Sequence, residues 1–286
     1  MANLKEIRNR ISSIASTMQI TSAMKMVSAA KLKKAQDAIV QMRPYANKLT
    51  ELLQNLSANA EDLQSVYTEQ REVNKVLLVA ITSNRGLCGA FNSNVIKEVR
   101  RISKEQYTDK EITIYAIGKK GHDILSKNFE ILANKSDIFD ALNFENVNLI
   151  AEELMSLFVE GNFDKIEFVY NRFKNAATQL LEVEQFLPLV PTVSESSSSN
   201  VNYIFEPNQK DIVSVLMPKS LKMQLFKAIR DSYASEHGAR MTAMHKATDN
   251  ATELRDDLLL TYNKARQAAI TNEILEIVGG AEALNN

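Results

Sequence analysis

Glycine and proline are scarce in this chain of 286 residues, eight and five respectively, and they are unevenly placed. The first glycine is Gly86, and the only proline before it is Pro44. After Pro218 there is no proline, and only Gly238 interrupts the sequence before Gly279. These residues are the strongest local punctuators, so their absence from both ends predicts long helices there around a compact middle. Cysteine is rarer still. Cys88 stands alone, which excludes an intramolecular disulfide and a cysteine-based zinc cluster and suits a reducing compartment. No run approaches the roughly 20 apolar residues of a spanning helix. The opening "MANLKEIRNRISS" has no apolar core followed by a small-residue cleavage site, so secretion by that route is not expected. Its arginines could open a mitochondrial presequence, but Glu6 and a helical pattern that continues far beyond speak for a cytosolic protein, or one docked at a membrane. A formal net charge of -1 excludes a globally basic nucleic-acid binder.

The 45% hydrophobic and 24% charged residues belong to a soluble folded chain, long enough for one large or two modest domains. The middle alternates: "VLLVAIT" as strand, "NSNVIKEVRRISKEQ" as helix, "EITIYAIG" as strand, "KKGHDILSKN" and "VNLIAEELMSLFVEG" as helices. Then "KIEFVYNRFK" and "QLLEVEQFLPL", joined by a short "NAAT", read as a hairpin. This pattern predicts an α/β sheet, placed over residues 74–192, between an N-terminal helix over 1–58 and a C-terminal helix over 208–286.

From Leu4 onward one heptad register runs through Ile7, Ile11, Ile14, Met18, Thr21, Lys25, Ser28, Leu32, Ala35, Ile39, Met42, Ala46, Leu49, Leu53 and Leu56. A two-in-seven apolar stripe this long is a coiled-coil signature. At 1.5 Å per residue it would extend roughly 80 Å, and so project from an ordinary domain. Pro44 predicts a local bend rather than an end, because the register resumes after it. The seam is expected to fail at Thr21, Lys25 and Ser28, where the apolar residues move to Ile20, Met24, Met26 and Val27. There the helix would offer its apolar side to something other than its own partner, with methionines suited to changing neighbours.

The C-terminal run repeats the spacing at Ala247, Ala251, Leu254, Leu258, Thr261, Ala265 and Ala268. Residues 1–48 hold nine lysines or arginines against Glu6 and Asp37, whereas 249–286 hold seven acids against Arg255, Lys264 and Arg266. Opposite charge favours pairing of the two ends, and exposed ion pairs worth about 0.2–1 kcal/mol set register more than stability. The basic end lacks the interleaved aromatics of a nucleic-acid platform.

"LKEIRNRISSIASTMQITSAMKMVSAAKLKKAQ", "ARMTAMHKATDNATEL" and "YNKARQAAITNEILEIVGGA", with "TSNRGLCGAFN" between them, resemble the gamma subunits of F-type ATP synthases over nearly the whole chain. The resemblance implies an antiparallel left-handed coiled coil of the two ends with a Rossmann-like α/β domain. It also implies a rotor without a catalytic site, cofactor or metal of its own, transmitting torque between the membrane c-ring and the alpha/beta hexamer. It implies a peripheral place on the cytoplasmic side of the bacterial plasma (inner) membrane. By the same resemblance Met24 and Lys25 face the hinge-and-loop region of the catalytic subunits. Arg240, Arg266, Gln267, Thr271 and Glu273 meet the surrounding loops, and Tyr203, Phe205 and Glu206 meet the ring and the epsilon subunit.

"SNRGLCG" lacks the Gly-Lys-Ser/Thr ending that sets an ammonium and a magnesium-binding hydroxyl against phosphates, and its glycines are spaced Gly-x-x-Gly. It reads as a tight strand-to-helix turn rather than a phosphate cradle, with Cys88 as a small packed residue. His122, His237 and His245 have no metal-ligand spacing, and the last two read as surface residues. Two rivals remain: an α/β enzyme using the Gly86 turn, and a free-standing coiled-coil scaffold.

Overall fold

The computed structural model describes residues 4–58, 66–189, 206 and 209–285. The chain divides into two compact units, Ala29–Arg240 and Met1–Ser28 with Met241–Asn286. Two helices contribute to both units: α1 (Leu4–Ala58), which runs through Pro44, and α5 (Gln209–Asn285), which runs through Pro218.

The larger unit is built on five strands, β1 (Lys75–Ile81), β2 (Glu111–Ile117), β3 (Glu130–Asn134), β4 (Lys165–Phe173) and β5 (Gln179–Leu187), in the order β3-β2-β1-β4-β5. The first four are parallel, and β5 returns antiparallel to β4 as the expected hairpin. β1 is central, and six of its seven residues are buried, as expected of a parallel strand covered on both faces. Alternation divides its side chains. Leu77, Val79 and Ile81 pack with Ile150, Leu154 and Phe158 of α4 (Phe144–Val159) and Leu221, Leu225 and Ile229 of α5. Val76, Leu78 and Ala80 pack with Val95, Val99 and Ile102 of α2 (Phe91–Glu105).

Local signals fix the ends of these elements. Asn143 caps α4 by accepting a hydrogen bond from the Asn146 N–H at 2.8 Å, so the helix begins three residues before its apolar pattern does. Between β2 and α3 (Lys119–Leu125) the chain passes so near Thr82 that a side-chain carbon on Gly118 would stand 2.1 Å from the Thr82 carbonyl oxygen. Gly118 also has φ +114°, so no other residue serves there. The edge strand β3, followed by a short 3-10 turn over Ser136–Phe139, is an addition to the sequence-based outline.

In the smaller unit α1 and α5 pair antiparallel. Arg8 donates to the Tyr262 hydroxyl at 2.7 Å, Thr252 donates to the Met18 sulfur at 3.3 Å, Thr21 and Thr248 share a hydrogen bond of 2.8 Å, and Lys25 Nζ lies 3.4 Å from His245 Nδ1. As the position on α1 rises, its partner on α5 falls by the same amount, which fixes one register from Arg8 to Lys25, about 4.7 turns.

The seam on α1 does not fail where the sequence suggested. Thr21 and Ser28 are buried and Lys25 is half-buried, like the apolar positions on either side. The reason is that both hydroxyls are satisfied: Ser28 donates to the Met24 carbonyl at 2.7 Å, and Thr21 bonds Thr248. The contact is continuous and only its chemistry changes. On α5 the covered positions are Met244, Ala247, Thr248, Ala251, Thr252, Arg255, Leu258, Tyr262 and Ala265. Ala247, Ala251, Leu258 and Ala265 are as expected. Leu254 and Thr261 give way to the next residue, and Leu254 stands 51% exposed, because Arg255 and Tyr262, like Thr248, reach α1 through polar atoms that an apolar pattern does not detect.

Candidate functional site

In open parallel sheets, ligands enter at the carboxyl ends of the strands where the order reverses. Here that point lies between β1 and β4, at the turn Thr82–Ala90 that carries Gly86 and Cys88. The turn is held from within. The Ser83 N–H donates to Asn92 Oδ1 at 2.9 Å, and the Ser83 hydroxyl donates to the Arg85 carbonyl at 2.6 Å. Leu87 takes φ 64° although it is not glycine. Arg240, on α5, donates to the carbonyl oxygens of Arg85 at 3.0 Å and Gly86 at 3.2 Å, and it bridges to Glu236. A phosphate needs the N–H groups of such a turn. This turn directs carbonyl oxygens at a guanidinium.

The same helix seals the crevice. Asp231, Ser232 and the unbroken run 234–240 are buried. Ala239 packs with Cys88 and Phe91, and Gly238 is so close to the β4–β5 turn that an added carbon would lie 3.1 Å from the Ala176 carbonyl. Asn171, at the end of β4, donates to the Phe91 carbonyl at 3.0 Å. Cys88 is 1% exposed and burial pushes its thiol up, which makes it a packed residue rather than a ready nucleophile. Among the described residues no group of three or more His, Cys, Asp or Glu could hold a metal ion.

His237 is not a surface residue. It is 5% exposed, its ring meets Tyr233 edge-on with centroids 4.4 Å apart, and neither ring nitrogen has a hydrogen-bond partner among the described residues. Burial, reinforced by Arg240 and Lys31, lowers its pKa to about 3, so the ring is neutral at physiological pH. His245, by contrast, is exposed and lies 3.3 Å from Asp249. Glu236 is buried, and its carboxyl is pushed up by that burial against the opposing pull of Arg240. Pattern reading missed this buried polar segment of α5. The six polar or ionisable side chains within Asp231–His237, in a helix otherwise covering a sheet, were the available signal.

The residues expected to meet partners are dispersed. Met24 and Lys25 are half-buried on α1, beside Ile20, Met26 and Val27 at 60%, 65% and 57% exposure. Arg240 is 7% exposed, with the internal bonds given above. Arg266, Gln267, Thr271 and Glu273 are exposed on α5. In the observed register Leu4 stands opposite Arg266, and from Arg266 to Ala281 every residue of α5 is exposed, including Ile270, Ile274, Ile277 and Val278. Glu206 is exposed, while Tyr203 and Phe205 lie outside the described residues. No described helix is long and apolar enough to cross a membrane.

A parallel-rich sheet whose ligand crevice is filled by its own last helix, in a chain whose two ends pair antiparallel, defines a class of α/β proteins with a coiled-coil partnership of termini. A family model described as ATP synthase matches residues 3–284. A gamma chain of ATP synthase from Flavobacterium johnsoniae is 70% identical over the full length of both chains, and one from Cytophaga hutchinsonii is 50% identical, also over the full length of both. The fold is shared with a chain of the Euglena gracilis mitochondrial ATP synthase in an assembly described as OSCP/F1/c-ring. That match has a TM-score of 0.70 at 23% identity and covers 98% of this chain and 94% of that one. A chain of the rotor of the same enzyme gives 0.68 at 24% identity, covering 93% and 98%. The chain belongs to the ATP synthase family, among its gamma chains.

Proposed function

We propose that this protein is the central shaft of a bacterial F-type ATP synthase, turned by the membrane c-ring and turning inside the alpha/beta hexamer, with no catalytic site of its own. The observation that carries the reading is the antiparallel register of α1 and α5, with about 20 residues of α5 continuing past its partner. Two helices locked by polar contacts along one register resist twisting better than one. The exposed stretch beyond Arg266 combines an apolar stripe with Arg266, Gln267, Thr271 and Glu273. Polar contacts made there with a surrounding sleeve stay solvated and are re-formed cheaply, whereas a buried pair costs about 3–5 kcal/mol to break.

Met24 and Lys25, flanked by exposed Ile20, Met26 and Val27, offer a second contact for the catalytic subunits. Arg240 acts from inside, holding the turn at Gly86 in one shape. Glu206, with Tyr203 and Phe205, belongs to the end that meets the ring and the epsilon subunit. On this reading the chain lies peripherally on the cytoplasmic face of the bacterial plasma membrane, in keeping with no described helix being long and apolar enough to cross one.

The test is ion pumping in inverted membrane vesicles. Met24→Lys adds a cation to an apolar contact, and it is expected to lower pumping per ATP while hydrolysis continues. Unchanged pumping per ATP would contradict the assignment of Met24. Purification of the native complex should recover one copy of this chain per hexamer, and recovery of a self-associated oligomer of the chain alone would support a scaffold instead.

A further inference from the structure

A cavity of about 630 Å³ opens in the larger unit between α1, the end of β4, the start of β5 and α5. It is separate from the crevice at Gly86, and its lining combines three chemistries. Arg43, Arg172, Lys174 and Lys227 line it and are exposed. Arg172 pairs with Glu182 at 2.9 Å, whereas the other three form no salt bridge among the described residues. Ile39, Met42, Phe173 and Leu180 supply an apolar wall. Asp231 also lines it, 6% exposed, with no hydrogen bond to its carboxylate from any described residue.

These features constrain the ligand. Clustered guanidinium and ammonium groups, three of the four without a salt bridge among the described residues, select phosphate or carboxylate oxygens. A bare anion filling the cavity would meet the Asp231 carboxylate and leave the apolar wall uncovered, so the ligand needs a donor at its other end and a flat apolar body between. Drug-sized and cofactor-sized ligands occupy pockets of about 300–1,000 Å³, which this volume matches. A buried acid without a partner is also costly to keep: burial pushes the Asp231 carboxyl up to about 6 although Lys227, Arg43 and Arg172 oppose it.

We propose that this cavity binds a nucleoside phosphate, its phosphates on Arg43, Arg172, Lys174 and Lys227, its base against Phe173 and Met42, and a ribose hydroxyl or base amine donating to Asp231. The proposal goes beyond the role as a shaft, which rests on the helix pair and stands or falls separately.

Equilibrium dialysis of the full chain with ADP, adenosine and pyrophosphate tests it. ADP is expected to bind in the micromolar range, with adenosine and pyrophosphate each at least about tenfold weaker. Arg43→Gln and Lys227→Gln change exposed side chains without adding a second acid beside Asp231, and each should weaken ADP by about tenfold or more. Gly86→Ala, where the added carbon meets nothing within 4 Å, should leave ADP binding unchanged. Absence of ADP binding at about 1 mM, equal affinity for pyrophosphate, unchanged affinity in both charge variants, or loss of binding in Gly86→Ala would each overturn the proposal.

Discussion

Arg240→Ala removes one guanidinium and strands three groups at once. Glu236, 8% exposed, loses its only salt-bridge partner among the described residues, and the carbonyls of Arg85 and Gly86 lose the donor that holds them. Breaking a buried ion pair from one side costs about 3–5 kcal/mol, because the remaining charge is left in a poor medium. Loss of the two carbonyl contacts acts in the same direction. Part of the cost is relieved by protonation of Glu236, whose carboxyl is already pushed up by burial, so the lower end of that range is expected at mildly acidic pH. The chain has no tryptophan, so urea unfolding is best followed by circular dichroism. The Arg240→Met, Glu236→Leu double variant separates charge from shape. It removes both ions, and should recover most of the loss while leaving the turn carbonyls unbonded. Arg240→Lys should recover less, since an ammonium does not span the acid and two carbonyls as a planar fork does. A single Arg240→Ala variant within about 1 kcal/mol of the parent would refute the reasoning, and would mean that Glu236 and the turn find other partners.

Other perturbations test other parts of the account. The folded pKa of His237, about 3, lies below the ordinary value near 6.5, so the unfolded chain takes up the proton first. Its contribution to stability is full above about pH 6.5 and falls by ~1.4 kcal/mol per unit as pH drops toward 3. His237→Phe should flatten that part of an acid-unfolding curve, and an unchanged slope would contradict the burial argument. The Asp231 carboxyl is displaced upward, so at pH 7 it destabilises the fold. Asp231→Asn should raise stability by up to about 3 kcal/mol there and have no effect below pH 4, checked by urea melts at both pH values. Gly238→Val should cost about 2 kcal/mol or more by forcing the Ala176 turn outward. Gly238→Ala should stay within about 1 kcal/mol of the parent, because improved helix propensity offsets the contact. Replacing Thr21 and Thr248 together by valine should be neutral or stabilising by about 1 kcal/mol, since both hydroxyls are removed at once; a loss of helix content on mild heating would contradict that.

Most of the architecture was legible because it depends on runs and periods. Six of seven residues of β1 are buried, as its continuous apolar run implied, and the hairpin of β4 and β5 follows from two β-rich segments with a short turn. β3 was not legible. Its five residues alternate between exposed and half-buried positions, and an edge strand of that length has no apolar run to separate it from a loop. The seam of α1 could be read as far as spacing, but not at Thr21 and Ser28, where hydroxyls bonded to Thr248 and to the Met24 carbonyl replace apolar packing. The register of α5 was half legible for the same reason: Arg255 and Tyr262 cover α1 with side chains that a hydrophobic count leaves out. Arg240 shows the limit of residue type as a guide. An arginine on a long helix suggests a surface role, and only the coordinates place its fork on the carbonyls of a turn 155 residues away in sequence. His237 misled in the opposite sense, since its residue type carries no mark of burial and only the polar segment around it, in a helix covering a sheet, did.

The polar stopper that α5 sets into the mouth of the sheet has a consequence for a part under repeated mechanical load. A lining of leucine and valine would turn adhesive whenever strain parted the helix from the strands, and a stretched molecule could stick to its neighbours. Glu236, His237, Arg240 and the Ser235 hydroxyl regain water when uncovered. A brief parting under torque therefore exposes a wettable surface, and the joint can close again without having offered anything for another chain to grip.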